Sequence, residues 1–280
     1  MNFSKAKSLF IALFVILDIF LFIFYINNSS IISVDSSANY QKVIKILGNK
    51  SILVDASANK IISQTRLYNL SLLNPSADKD SFLSSVLGNY TKKDENTFVS
   101  EKGIIVFKGN EFMFYPKQKE KINSLLPSAK TAETLLKTLE TYGFDTSFLK
   151  WYTTMEEKKG FYKITYNQIF YEKELFNSNV SIYATENGIS HLKGCLYSPF
   201  SVSSEIKNLK SKEEILIRFS NLFSSEKKII ITKINNGYYI SKDDFKTLTA
   251  IPSLEISTKN GDIYYFDLLN GEFLEKLSVT

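Results

Sequence analysis

The sequence predicts an α+β protein in which a single N-terminal transmembrane helix precedes an outer region of antiparallel sheets packed with helices. An almost uninterrupted apolar run extends over residues 9–26. Beyond it, three segments with helical periodicity are each followed by β-type sequence. The β-type segments are joined by short glycine turns, with no regular alternation of single strands and helices. This pattern favours strands that pair locally as hairpins, as α+β proteins do.

The apolar run has the length of a membrane anchor. As a helix, residues 10–26 would be about 26 Å long, close to the thickness of the hydrocarbon core of a bilayer. A cleaved signal peptide is the alternative, but its apolar core is shorter and ends at a small-x-small site. Lys5 and Lys7 precede the run, and no basic residue follows it before Lys42. We therefore predict an uncleaved anchor with the N-terminus in the cytoplasm and the remainder outside, at the cell membrane.

Composition agrees with a bacterial envelope protein. Only one cysteine, Cys195, is present, so the chain cannot form an internal disulfide. With 44% hydrophobic residues, the outer region can bury one large core or two ordinary ones. The net charge of +5 is spread along the chain and is typical of a solvated lysine-rich surface.

Helical patterns follow the anchor at intervals. A polar tether over 27–39 leads into the periodic stretch "YQKVIKILG", a short helix that we expect to stop at Gly48. Further helices are predicted over 78–87, 131–142 and 212–223. Ser211 is a good N-cap for the last of these, because Glu213 and Glu214 follow it.

Three similar turns separate the β-type segments. They are "SEKG" at 100–103, "TENG" at 185–188 and "TKNG" at 258–261, where glycine supplies the positive φ of a tight hairpin. The first two continue alike, as "GIIVFKGNEFMFYP" and "GISHLKGCLYSP". A duplicated helix-and-sheet unit would explain this, but hairpins of unrelated origin also look alike.

The domain boundary is predicted in the lysine-rich segment "PKQKEKINSLLPSAK", which carries two prolines. The resulting division is 1–27 for the cytoplasmic N-terminus and transmembrane anchor, and 28–50 for the tether and short helix. A membrane-proximal α+β domain over 51–125 and a distal α+β domain over 126–280 follow.

The sequence offers no catalytic, cofactor-binding or metal-binding set of residues. The chain has one histidine, His191, which with Cys195 cannot complete a zinc site. We interpret both as ordinary strand residues. The Ser-x-x-Lys pattern of penicillin-recognising enzymes occurs at 4–7, 57–60, 204–207 and 225–228. Without Ser-Asp-Asn or Lys-Thr-Gly it is chance. No glycine-rich phosphate loop is present, so the prediction is a protein without enzyme activity, cofactor or nucleic-acid ligand.

Several segments resemble the YycI family of membrane-anchored regulators. In the opening "MNFSKAKSLFIALFVILDIFLFIF", Phe3, Ser4 and Lys5 occupy the family's aromatic and Ser-Lys positions, and Asp18 occupies the polar anchor position, where asparagine is expected. The segment "YNQIFYEKELFNSNVSIYATENGISHLKGCLYSP" has the order of the family's C-terminal domain. "NNGYYIS" and "PSLEISTKNGDIYYFDLLNGEF" look like its last hairpins, with Leu254 where a tryptophan is expected.

The resemblance implies a non-enzymatic accessory regulator with two PepSY-like or YycH-like domains. Its implied partners are a WalK-like sensor histidine kinase of a cell-wall-sensing two-component system and a YycH-like protein, and a homodimer is compatible with it. A second hypothesis stays open: a PepSY-like envelope binding module that inhibits or recruits an exported peptidase or wall hydrolase.

Asp18 indicates how such a regulator would contact its partners. A carboxylate at the centre of a membrane helix costs about 2.5–3.5 kcal/mol on insertion scales, so it is usually turned toward protein. Small residues spaced four apart let a second helix approach closely. The predicted transmembrane contact face consists of Ser4, Ser8, Ala12, Val15, Asp18 and Phe22. The alternative is that Asp18 is merely tolerated in an apolar helix.

Overall fold

A computed structural model describes the chain over residues 14–15, 17–18, 36–56, 58, 66–76, 78–118, 122, 128–223, 228–241 and 246–278. Strands account for 49% and helices for 21% of this part. The helices are α1 (Ser36–Asn49), α2 (Lys79–Leu87), α3 (Ala129–Thr141) and α4 (Lys212–Ser220). The four helices predicted beyond the anchor are thus confirmed, with ends displaced by a few residues.

Fifteen strands are described. They are β1 (Ile52–Val54), β2 (Tyr68–Leu73), β3 (Thr91–Lys92), β4 (Thr97–Val99), β5 (Gly103–Lys108), β6 (Glu111–Pro116), β7 (Leu149–Lys158), β8 (Phe161–Phe170), β9 (Lys173–Thr185), β10 (Gly188–Gly194), β11 (Ser198–Glu205), β12 (Ile229–Ile240), β13 (Thr247–Thr258), β14 (Ile263–Asp267) and β15 (Phe273–Leu277).

The strands belong to one continuous sheet. Its main path runs β11-β2-β13-β12-β9-β10-β6-β5-β4-β3. Three branches leave this path: β1 beside β12, β14 and β15 beside β13, and β8 and β7 beside β9. Most pairs are antiparallel, but β12 runs parallel to β9 and to β1. The β12–β9 contact joins the two halves of the sheet.

Each half of the sheet has its own hydrophobic core. In the first, α1 and α4 place Leu47, Ile215 and Phe219 against β2, β12, β13 and β14. In the second, α2 and α3 place Leu83 and Leu135 against β5, β6 and β8–β10. Helices on one face of an antiparallel sheet are what such a sheet needs to bury that face.

The predicted fold class, α+β with a single N-terminal transmembrane helix, is wrong. The described part is mostly β-sheet, with 49% of its residues in strands against 21% in four helices. One cause is that two of the strands have little or no buried face. All eight residues of β11 are exposed, and β7 is exposed over most of its length. Strands without a buried face lack the alternation by which sequence indicates them.

No helix in the described part of the chain is long and apolar enough to cross a membrane. Most of the run that was predicted to be the anchor lies outside the described residues. Four of its members, Phe14, Val15, Leu17 and Asp18, are described and have helical backbone.

The predicted domain segments both contribute to both cores. Ile52 and Leu83 come from 51–125 and lie in the first and second core respectively. Ile215 and Leu135 come from 126–280 and also lie in different cores. The boundary near residue 125 itself stays a prediction.

The three predicted hairpins are confirmed, with one correction about glycine. Gly188 and Gly261 have the expected positive φ, 118° and 89°. Gly103 does not, and it is needed for a different reason. A Cβ there would lie 2.5 Å from both the Phe114 ring and the Tyr115 carbonyl oxygen. Glycine therefore allows β5 and β6 to approach closely.

Replacing Ser211 by alanine should lower the free energy of unfolding by about 1 kcal/mol. The predicted cap is a complete capping box. Ser211 Oγ accepts from the Glu214 main-chain N–H at 3.2 Å, and Glu214 Oε2 accepts from the Ser211 main-chain N–H at 3.0 Å. Urea unfolding measures the loss. Ser204→Ala, at an exposed position of β11, is the matched control and should change nothing. Equal effects of the two substitutions would contradict a capping role.

Candidate functional site

The predicted transmembrane contact face lies largely outside the described residues. This applies to Ser4, Ser8, Ala12 and Phe22. Val15 is exposed, and Asp18 is described only as part of a short helical stretch. The face therefore stays a prediction.

His191 and Cys195 both have structural surroundings. The His191 ring, on β10, stacks on Tyr183 with ring centroids 4.2 Å apart and on Tyr115 at 5.7 Å. Burial lowers the pKa of His191. The Cys195 thiol donates to the Asn110 carbonyl oxygen at 2.9 Å, and burial raises its pKa to about 11. A thiol that stays protonated at neutral pH is a poor nucleophile.

The Ser-x-x-Lys patterns assemble nothing in the described part of the chain. Both Ser204 and Lys207 are exposed. The other three occurrences include residues that lie outside the described part.

A cleft of about 360 Å³ lies where β7, β8, β9 and β12 meet. It opens beside the parallel β9–β12 contact that joins the two halves of the sheet. Charged, carboxamide and aromatic side chains line it together. They include Lys150, Trp151, Tyr152, Asn167, Glu172, Glu174, Lys233 and Asn235.

Two carboxylates share one lysine at the floor of the cleft. Lys233 Nζ lies 3.1 Å from Glu255 Oε1 and 3.8 Å from Glu174 Oε2. The three residues come from the adjacent strands β12, β13 and β9, which is why their side chains converge. Exposed fractions of the side chains are 6% for Glu255, 17% for Glu174 and 41% for Lys233. Glu255 is thus covered, whereas Glu174 and Lys233 reach the cleft.

Neighbouring side chains hold the Glu174 carboxylate in place. Asn167 donates its Nδ2 to Glu174 Oε1 at 2.6 Å, and Asn235 donates its Nδ2 to Glu174 Oε2 at 3.3 Å. Ser257 Oγ donates to Glu255 Oε1 at 2.8 Å. Every buried acid of the floor therefore has a polar partner, as burial of charge requires.

Burial and charge act in opposite directions on the pKa values of the floor. Burial raises the pKa of Glu174, Glu255 raises it further, and Lys233 opposes both. Burial alone would lower the pKa of Lys233, but the attraction of Glu255 and Glu174 outweighs it and the pKa is raised. At neutral pH Lys233 is therefore a cation held by two acids.

Gly237 makes this arrangement sterically possible. It is paired with Glu174 across the parallel contact. A Cβ at this position would overlap the Glu174 carbonyl oxygen and lie 2.7 Å from the Phe176 ring. The glycine of "NNGYYIS" thus permits the close approach of β9 and β12 beneath the cleft.

Two aromatic side chains of β7 form the rim. Trp151 and Tyr152 are 37% and 58% exposed. Trp151 donates its indole N–H to Thr154 Oγ1 at 3.1 Å, which fixes the ring. A register shift between Trp151 and Thr153 makes Tyr152 an extra residue relative to β8. Bulges of this kind redirect side chains next to functional sites.

Comparison with known proteins establishes the fold alone. No family model matches the chain, and no curated protein matches it. Among solved structures, the chain is similar to an uncharacterized protein from Eubacterium rectale ATCC 33656 whose crystal structure was determined at 1.45 Å resolution. The TM-score is 0.51 and the sequence identity 12%, over 84% of this chain and 98% of that chain. The architecture is therefore shared along nearly the whole of that protein.

Proposed function

We propose that the chain is a non-enzymatic, extracytoplasmic accessory regulator of a cell-wall-sensing two-component histidine kinase, acting with a YycH-like partner at the cell membrane. The YycI-like segments between residues 160 and 280 support this proposal. In the described structure they contribute to β8–β10 and β12–β14. A regulator without chemistry of its own acts by contact, so the proposal needs a contact surface.

The free edge of β7 is the observation that carries the proposal. In the described part of the chain, β7 pairs only with β8, so its other edge presents main-chain N–H and C=O groups. Two large side chains of this strand are exposed, Met155 at 59% and Tyr152 at 58%. Proteins usually protect sheet edges, and an exposed edge with large apolar side chains is a site for an added strand.

The geometry of β7 favours a short extended segment of a partner. Register shifts at Tyr152 and Glu157 leave Thr153 to Glu156 as the regular stretch of the strand. A segment of about four residues can pair with it through the main chain, with Met155 providing apolar contact. We assign this segment to the YycH-like protein.

Substitution of Met155 by lysine should weaken this contact about tenfold, since it puts a charge into the apolar part of the interface. Co-purification and titration of the full chain with the YycH-like protein and the kinase measure the effect. Leu269→Lys, at another exposed apolar position, is the matched control and should bind as the unchanged protein does. Equal binding by the Met155 variant, or capture of a second copy of this chain in place of the partner, would contradict the proposal.

The cleft favours a second candidate function. A PepSY-like envelope binding module that inhibits or recruits an exported peptidase or wall hydrolase would need a ligand site of its own. A concave site with convergent polar groups and a buried acid of raised pKa is typical of ligand binding.

A further inference from the structure

We infer that the cleft between β7, β8, β9 and β12 is a saccharide-binding site that takes an uncharged, polyhydroxylated ligand such as a glycan chain. The inference deepens the second candidate function and does not depend on the partner contact of β7. Three features of the cleft carry it: its rim, its floor and its charge balance.

The rim offers the flat apolar surface that a sugar ring needs. One face of a pyranose ring consists largely of C–H groups, and these pack against the face of an aromatic ring. Trp151 and Tyr152 supply two partly exposed aromatic rings to the lining of the cleft. The bond from the Trp151 indole to Thr154 Oγ1 holds one of them in a single orientation, which lowers the entropic cost of binding.

The floor offers donors and acceptors within one small space. A sugar hydroxyl donates one hydrogen bond and accepts two, so it suits a site where both kinds of group are close together. Lys233 can donate only, and the Glu174 carboxylate can accept only. Asn167 and Asn235 fix Glu174 from its other sides, so the carboxylate is positioned before the ligand arrives.

The charge balance favours a neutral ligand. Lys150 and Lys233 contribute two positive charges. Glu172, Glu174 and the covered Glu255 contribute three negative charges, which leaves one excess negative charge at the cleft. A phosphate or carboxylate ligand would meet these acids, and a cationic ligand would meet the two lysines. The volume of about 360 Å³ is at the lower end of the usual range for small-molecule sites, which is about 300–1,000 Å³. One or two sugar residues of a longer chain are therefore the expected occupants.

The composition of the chain makes the test direct, because Trp151 is its only tryptophan. We expect titration of the full chain with chitotetraose or cellotetraose to give a saturable change in tryptophan emission. The expected dissociation constant lies between about 10 μM and 1 mM, in the range for weak binding. Absence of saturable binding of both oligosaccharides up to about 10 mM, by fluorescence and by calorimetry, would overturn the inference.

Two variants locate the binding. Glu174→Gln keeps the shape of the floor but removes an acceptor oxygen and its charge, and Trp151→Ala removes the platform. Each should weaken binding at least tenfold, the second measured by calorimetry. Glu157→Gln, an exposed acid elsewhere on β7, should leave affinity unchanged. Unchanged affinity in both cleft variants would place the sugar elsewhere and refute the assignment. Met155→Lys should retain sugar binding, so failure of the partner contact and failure of the sugar site give different results.

Discussion

Replacing Gln168 by leucine should lower the free energy of unfolding by about 4 kcal/mol, the largest effect that we expect from a single substitution in this chain. Gln168 is fully buried. Its Nε2 donates to the Tyr197 carbonyl oxygen at 2.8 Å, and its Oε1 accepts from the Tyr197 N–H at 2.9 Å. Leucine has a similar volume but satisfies neither group. Two buried main-chain groups left unpaired cost about 1–3 kcal/mol each.

The position of Gln168 explains why its loss should affect the whole fold. Ser178 Oγ also donates to Gln168 Oε1, at 2.6 Å. Tyr197 lies in the first core and Leu196, its neighbour, in the second. The Gln168 carboxamide therefore holds in place the segment where the chain passes from one core to the other. Both cores should unfold together in the variant, in one transition.

Urea unfolding followed by circular dichroism gives the comparison. Gln118→Leu is the matched control, because Gln118 is exposed and only its main-chain oxygen is used, by the Tyr142 hydroxyl. It should change stability by less than about 0.5 kcal/mol. A loss below about 1 kcal/mol in the Gln168 variant would show that water or a shifted main chain replaces the lost bonds.

Sequence alone could predict the elements whose signals are local. The helices α2, α3 and α4 follow from apolar periodicity, and the cap at Ser211 follows from the acidic residues behind it. The hairpins at Gly188 and Gly261 follow from turn chemistry. The role of Gln168 could not be predicted in this way. The sequence shows a polar residue within a strand, but it does not show which distant group that residue bonds.

The cleft escaped sequence analysis for a topological reason. Glu174, Lys233 and Glu255 lie on three strands, and only the parallel contact between β9 and β12 brings the first two together. Paired carboxylates that are adjacent in sequence, such as Glu213 and Glu214, belong instead to a helix start. The one local signal was Gly237 in "NNGYYIS". A glycine in a strand marks a close approach of another main chain, but it does not identify which strand approaches.

The predicted fold class is wrong because exposed strands show little regular alternation of polar and apolar residues. In β11 only Phe200 and Val202 alternate with serines, and neither face of the strand is buried. In β7 the register shifts break the alternation within the strand. Both strands lie at edges of the sheet, where burial no longer dictates the sequence.

Replacing Lys233 by methionine should lower the free energy of unfolding by about 2 kcal/mol at pH 7. Removing one partner of a buried ion pair costs about 3–5 kcal/mol, because the remaining charge has no compensation. The expected loss is smaller here because 41% of the Lys233 side chain is exposed and water screens part of the charge. Lys159→Met, at an exposed position between β7 and β8, is the control and should be neutral.

The pH dependence separates charge from packing in this prediction. The pKa of Glu174 in the folded chain is raised above its ordinary value of 4.5. The folded state therefore binds this proton more tightly than the unfolded state, and stability rises as the pH falls through the raised pKa. Loss of the Lys233 ammonium raises that pKa further, so the variant should lose most stability at pH 7 and regain it on acidification, approaching the unchanged protein near pH 4.

Addition of Glu255→Gln to the Lys233 variant should restore part of the lost stability at pH 7. An equal loss at pH 4 and pH 7, with no recovery in the double variant, would mean that Lys233 stabilises the cleft by packing of its methylene groups and that the two acids do not depend on its charge.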